Sequence, residues 1–318
     1  MRLLDEDAFS PMSGNTGSSL DAETDRLARL VETLAPYDGI FDQRIPGLYV
    51  ARSSRIHMDY VHSIHSPSLG IVAQGAKSVT VGQEVYQYDR TCMLMVPVAL
   101  PVALQTTQAS CSRPFLGVRL NLDPQRIAEL VLKVYPQGLP PVRQWSSGYI
   151  VRAELSIVNA LRRLVECIAN PADAKLIAPL IVDEILIRLL RSAIGVHVAE
   201  MGFADSSVQR VAKAIAWLRD NFSQPMKVAD LAESTHMSVS SFHEYFKSVT
   251  SMSPLQYQKA LRLHEARRLM LSSSMDTAAA CQLVGYVSVS QFSRDYRRFF
   301  GSPPMRDIAG LRRQITVT

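Results

Sequence analysis

The run from Ala280 to Pro304 constrains this chain more than any other stretch. It reads as a short apolar segment, a glycine at position 285, and a second segment in which Phe292, Tyr296, Phe299 and Phe300 recur at steps of four, three and one. Apolar residues at such steps share one face of an α-helix. Ser290, Gln291, Arg294 and Arg297 fall on the other face, toward water. A helix, a glycine turn and a second helix with one aromatic and one polar face predict a helix-turn-helix. Ser, Gln and Arg suit base edges and the phosphates beside them, so the pattern points to double-stranded DNA.

The same arrangement is expected once more upstream. Lys227 to Ser234 places Val228, Leu231 and Ala232 inward, a turn falls at Thr235-His236-Met237, and Ser238 stands as a capping residue before a helix over Val239 to Ser248. That helix buries Phe242, Tyr245 and Phe246. A leading helix is expected over Val208 to Asn221, and a long one over Leu255 to Leu271 between the two units. The long helix turns Leu263, Ala266, Leu269 and Met270 inward, with Lys259, Arg262, Arg267 and Arg268 largely outward. The caps Ser238 and Ser288 lie 50 residues apart. A helix spanning 255–271 is about 25 Å long. Two such units therefore match adjacent major-groove segments roughly 34 Å apart.

Charge agrees with this reading. Of 34 Lys and Arg in the 318 residues, 15 lie between Ser206 and Thr318, against 8 of the 29 Asp and Glu. The net charge of +5 therefore comes wholly from the segment carrying the two units. Phosphate neutralisation needs such a concentration of cations.

The first two-thirds has a different rhythm. Leu20 to Ala35 carries one apolar helical stripe, with Asp21 as its cap; residues 1–19, rich in Ser, Gly and acids, are expected to be disordered. Short β-prone runs follow at Leu48–Ala51, Leu69–Ala73, Lys77–Val81, Glu84–Tyr88, Cys92–Val96 and Phe115–Leu120, with a hairpin turning at Gly82-Gln83. Six or more short strands at close spacing predict a small sandwich or barrel. Two helices are expected after it, Ala153–Ala169 and Lys175–Ile194. The second is apolar around most of its circumference and must lie against the barrel or a second copy. Gly195 to Ser207 reads as a linker, and 308–318 as a tail. The fold class is thus α+β and multidomain: a β-barrel with helices over 20–194, then an all-α double helix-turn-helix over 208–307, with units at about 227–248 and 275–298.

Gly285-Tyr286, Ser288, Ser290-Gln291-Phe292-Ser293-Arg294, Tyr296, Phe300-Gly301 and Pro304 together closely resemble the signature of the AraC/XylS family of bacterial transcription regulators. The resemblance is close over about the last hundred residues. Over Ile56 to Leu130 the chain looks, more loosely, like the regulatory domain of part of that family. The resemblance implies a cupin-like barrel, a homodimer formed through the helices after it, a small-molecule effector and contact with RNA polymerase. It also implies that base edges are met by Ser240, His243 and Glu244 in the first unit and by Val289, Ser290, Gln291 and Arg294 in the second. Arg294 and Gln291 have the strongest physical case, since Arg pairs with guanine and Gln with adenine through two hydrogen bonds each. Glu244 must accept from a cytosine amino group or serve as an internal ion-pair partner. Lys247, Arg297 and Arg298 are expected to hold phosphates.

Other functions find little support. No apolar run reaches the roughly 18 residues of a membrane span, the N-terminus has no hydrophobic signal core, and four scattered cysteines frame neither metal nor disulfides, so a cytoplasmic protein is expected. His57, His62 and His65 lack the His-x-His pattern of metal-binding cupins, and no phosphate loop, dinucleotide fingerprint or nucleophile elbow occurs. Neither a cofactor nor catalysis is expected. The alternatives are an architectural DNA binder and, behind it, a cupin-type enzyme with an appended DNA-binding module. Arg52, Arg55, Tyr60 and Lys77 can serve an anionic or polar effector, or simply lie on the surface.

Overall fold

A computed structural model describes residues 16–56, 60–142, 144–273 and 275–316. The expectation of disorder over 1–19 lies outside the described residues up to position 15; from Thr16 the chain is helix α1 (Thr16–Leu34). The strands that follow are β1 (Gly39–Asp42), β2 (Leu48–Ser53), β3 (Val61–His65), β4 (Ser68–Gln74), β5 (Ala76–Val81), β6 (Glu84–Asp89), β7 (Cys92–Val96), β8 (Leu100–Gln108), β9 (Phe115–Asn121) and β10 (Tyr149–Arg152). They form a six-stranded sheet, β1-β2-β9-β4-β7-β10, and a four-stranded sheet, β3-β8-β5-β6. Every pairing is antiparallel. The expected cupin-like barrel thus takes the form of two sheets hydrogen-bonded separately, not one closed ring. The hairpin of β5 and β6 turns at Gly82, whose φ of +59° is the left-handed backbone such a turn needs.

The alternation of β2, β4, β7 and β9 sends Leu48, Leu69, Met93, Met95 and Leu120 into a core from which water is excluded. Helices α2 (Pro124–Val134), α3 (Leu155–Glu166), α4 (Pro171–Leu176), α5 (Ala178–Leu190) and α6 (Gly195–Gly202) complete this part. The helix expected over 175–194 is divided, because Pro179 has no amide hydrogen for a continuing turn and instead opens α5. The segment read as a linker holds α6, which buries Val198, Ala199 and Met201 and lies on α2. No described helix is long and apolar enough to cross a membrane.

The C-terminal part is α7 (Ser207–Asp220), α8 (Val228–Ser234), α9 (Val239–Thr250), α10 (Pro254–Ser272), α11 (Thr277–Leu283), α12 (Val289–Phe300) and α13 (Pro304–Thr316). Helices α8–α9 and α11–α12 are the two helix-turn-helix units, joined by α10. Residues 304–316, divided above between the DNA-binding module and a tail, form one helix whose Ile308 is buried in the second unit.

The two parts touch along α9, α10 and α12. Tyr257 on α10 is fully buried and donates its hydroxyl to the Ala99 carbonyl at 2.7 Å. Trp145 meets Tyr245 edge-on, with centroids 5.0 Å apart. His62 of β3 sits among His264 of α10 and Phe299 and Phe300 of α12, at centroid separations of 4.9 to 6.3 Å. Burial, with the charge of Arg267, pushes His62 down to about 4 against a raising effect from Asp307. His264 is pushed down to about 3 by burial, then by His62 and Arg267. Both imidazoles are therefore neutral in the joint and take up protons more readily once exposed. Stability from this joint is complete above about pH 6.5, the unperturbed histidine value, and is lost as pH falls toward 4. Urea midpoints measured between pH 7 and 4.5 are expected to fall with acidification, and His264→Leu is expected to flatten that slope. An identical slope in the variant would remove His264 as its source.

Candidate DNA-binding surface and inter-sheet cavity

Each recognition helix is built the same way. In α9, Ser238 caps the N-terminus by accepting from the Ser241 amide, and Phe242 and Phe246 are fully buried beneath. In α12, Ser288 caps by accepting from the Gln291 amide, and Phe292 and Tyr296 are fully buried. The preceding turns need left-handed backbone: His236 has φ of +56° and Gly285 of +82°. Gly301, also at +82°, ends α12. The aromatic residues are thus committed to the core, and the opposite faces are left for a partner.

Those faces carry the expected residues. Ser240, His243, Glu244 and Lys247 are exposed on α9, and Val289, Ser290, Gln291, Arg294, Arg297 and Arg298 on α12. Glu244 makes no ion pair with a described residue, so the internal-partner alternative finds no support. Val239, which the sequence reading left out, is 45% exposed at the first position of α9, just as Val289 is 42% exposed at the first position of α12. The signal was in the sequence as a repeat: both helices begin Ser-Val-Ser, at 238–240 and 288–290. Helix α10 has 19 residues, which makes it about 28 Å long.

Arg262 and Arg267 correct the reading of α10, which had both largely outward. Arg262 donates to the carbonyls of Phe222 at 2.7 Å, Gln224 at 3.1 Å and Gly285 at 3.1 Å. It ties the loop after α7 to the turn of the second unit. Arg267 is only 13% exposed and forms a two-point ion pair with Asp307 of α13, at 2.8 and 2.7 Å.

In the N-terminal part a cavity of about 50 Å³ lies between the sheets. Its apolar walls include Ile71, Val79, Leu94 and Leu104, and its polar lining includes His65, Ser68, Lys77, Tyr88 and Arg119. Lys77 stands 5.2 Å over the Phe115 ring and Arg119 4.3 Å over the Tyr49 ring. Of the four residues put forward for an effector, only Lys77 reaches this space. Arg52 donates to the Ala35 carbonyl, while Arg55 and Tyr60 are exposed. His62 and His65 diverge, one to the joint and one to the cavity, and His57 is outside the described residues.

Fold and surface together define a protein with two helix-turn-helix units behind a two-sheet domain. Residues 44–197 match the family described as the AraC-type transcriptional regulator N-terminus, and residues 231–307 a helix-turn-helix domain. The chain belongs to the AraC-type family of transcription regulators. Among named relatives, the regulator GbdR of Pseudomonas aeruginosa is 30% identical over 101 residues, which is 32% of this chain and 28% of GbdR. The probable regulator LumQ of Photobacterium leiognathi is 25% identical over 62% of this chain and 80% of its own. The activator RhaS of Pectobacterium atrosepticum is 24% identical over 52% of this chain and 58% of its own. The chain thus spans little more than a quarter of GbdR's length. ToxT of Vibrio cholerae shares the fold, with a TM-score of 0.54 over 84% of this chain and 98% of its own at 10% identity.

Proposed function

We propose that the chain is a sequence-specific, effector-responsive transcription activator that reads two adjacent major-groove segments, one with each helix-turn-helix unit. The observation that carries this is the pairing of two Ser-capped helices, each with an aromatic face buried and a polar face open, across one continuous helix. Arg294 and Gln291 read bases from α12, and Ser240, His243 and Glu244 from α9. Val239 and Val289 offer apolar contact to thymine methyl groups. Lys247, Arg297 and Arg298 hold phosphates and set register. RNA polymerase is the partner that activation requires. A small molecule bound between the sheets biases how the helical module is held, through the joint at Tyr257 and His62. A cytoplasmic homodimer fits the exposed apolar residues Leu176 and Leu180 of α4 and α5, 66% and 64% exposed.

The test is fluorescence anisotropy with the chain's own upstream DNA and a scrambled duplex across salt concentrations. Arg294→Ala is expected to lose about 1–3 kcal/mol on the specific duplex, with a much smaller change on the scrambled one. Arg298→Ala is expected to weaken both alike and to lower the salt slope by about one. Equal affinity of the wild type for every duplex tried would leave an architectural binder instead.

A further inference from the structure

The inter-sheet cavity holds two cations, and no described carboxylate is paired with either. Lys77 and Arg119 both line it, from β5 and β9 in opposite sheets. Among the described residues no carboxylate lies within ion-pair distance of either, and neither makes a side-chain hydrogen bond; Asp42 acts on Arg119 only as a more distant charge. Their contacts are the faces of the Phe115 and Tyr49 rings. Ring faces attract a cation but supply far less than the water or counter-ion it has left. Each charge also raises the cost of the other, and burial with Arg119 beside it holds the Lys77 ammonium down to about 8. His65 is held well below its usual range by burial and then by both cations, so it offers a neutral ring. Burial holds the Tyr88 hydroxyl up at about 12, leaving it a donor. Space has been kept as well. A side chain at Gly70 would meet the Tyr88 hydroxyl at 3.2 Å, and one at Gly117 would overlap the Phe115 ring.

We infer that this cavity is a binding site for a small organic anion, a short monocarboxylate, whose charge is taken by Lys77 and Arg119 and whose apolar end meets Ile71, Val79, Leu94 and Leu104. A volume of about 50 Å³ is room for only a few water molecules, which excludes a long chain wholly enclosed there. The walls of Ile71, Val79, Leu94 and Leu104 offer nothing to a second charged group at the far end, which disfavours a dicarboxylate. The inference rests on the reading of the N-terminal part as an effector sensor, and names the class of effector.

The experiment uses the full chain at pH 7 and constant ionic strength, with thermal unfolding followed in rising acetate, propionate and butyrate, each against its neutral amide. The melting temperature is expected to rise with at least one carboxylate and not with its amide, because a ligand bound only by the folded state stabilises it by mass action. Lys77→Met is expected to weaken that apparent affinity about tenfold or more. Without ligand, Lys77→Met is expected to melt at or above the wild type, since it relieves an uncompensated charge; a purely structural lysine would make it melt lower. Arg119→Met supplies the same readings if Lys77→Met does not fold. Carboxylate and amide acting alike, or Lys77→Met keeping the full carboxylate effect, would overturn the inference. DNA affinity is measured in parallel. Carboxylate-specific stabilisation without a change in DNA affinity supports the site while removing its regulatory role. A DNA response to some other molecule, with no carboxylate effect, overturns the site and leaves the sensor reading intact.

Discussion

Gly285→Ala is expected to destabilise the second helix-turn-helix unit by about 2–5 kcal/mol and to abolish specific DNA binding with it. Two costs add. The residue sits at φ of +82°, where an L side chain costs about 1–2 kcal/mol. A Cβ built there would also overlap the main-chain carbonyl of Ser223, and overpacking against backbone costs a further 1–3 kcal/mol or so. The backbone cannot simply swing aside, because the Gly285 carbonyl accepts from Arg262, whose other donors hold Phe222 and Gln224. Movement at the turn therefore loosens the loop after α7 as well. Gly301→Ala is the internal control. It has the same φ of +82° but nothing within 4 Å of the new atom, so it should lose only the backbone part, about 1–2 kcal/mol. Urea unfolding of both variants decides the matter. Equal losses would mean that the close approach to Ser223 contributes nothing.

The helix-turn-helix units were legible because each states itself locally. Aromatic spacing, a serine cap and a glycine or histidine turn are all read within about 25 residues, and local signals of this kind decide helices. All six strands read from the sequence exist. Four others were not read, three of them for reasons visible in their residues. The nine-residue β8 begins Leu100-Pro101, and a proline argues against a strand until its neighbour is known; here it faces Ile64 of the edge strand β3. Strands β1 and β10 have four residues each and are held by their partners more than by their own composition. The inward turn of Arg262 and Arg267 was illegible for a deeper reason. Their partners are carbonyls near 222–224 and a carboxylate 40 residues on, and no pattern within α10 reports them. The cavity lies between the two cases. Lys77 is among the polar candidates of the sequence, and Arg119 is marked there only as a single charge in the apolar run from Phe115 to Leu120. That the two share one space depends on which strands face each other, which only the three-dimensional topology supplies.

Asp307→Ala is expected to cost about 3–5 kcal/mol, as removing one partner of a buried ion pair does. Asp307 is 10% exposed and receives two hydrogen bonds from Arg267 and a third, at 2.7 Å, from the Tyr296 hydroxyl. Burial, followed by this bond to Asp307, raises the Tyr296 phenol well above its ordinary range, so it stays a donor. Without the carboxylate, Arg267 keeps only its place 4.4 Å over the Phe300 ring, an uncompensated charge in an aromatic core. Helix α13 loses its polar tie to α10 and α12 and keeps the buried Ile308 and the Arg312 bond to the Met270 carbonyl, so α12, which presents Gln291 and Arg294, is held less firmly. The contrast is Glu265→Ala, whose partner Arg268 is 61% exposed and which should shift stability by no more than about 1 kcal/mol. A pair of compensating changes, Arg267→Met with Asp307→Leu, separates charge from shape. If the penalty is the stranded arginine, the double variant recovers most of the stability lost by Asp307→Ala, and with it the affinity for specific DNA. If stability returns and affinity does not, the ion pair sets the angle of α12 on the groove as well as holding the unit together. A loss below about 1 kcal/mol for Asp307→Ala would show instead that α13 is dispensable to the second unit.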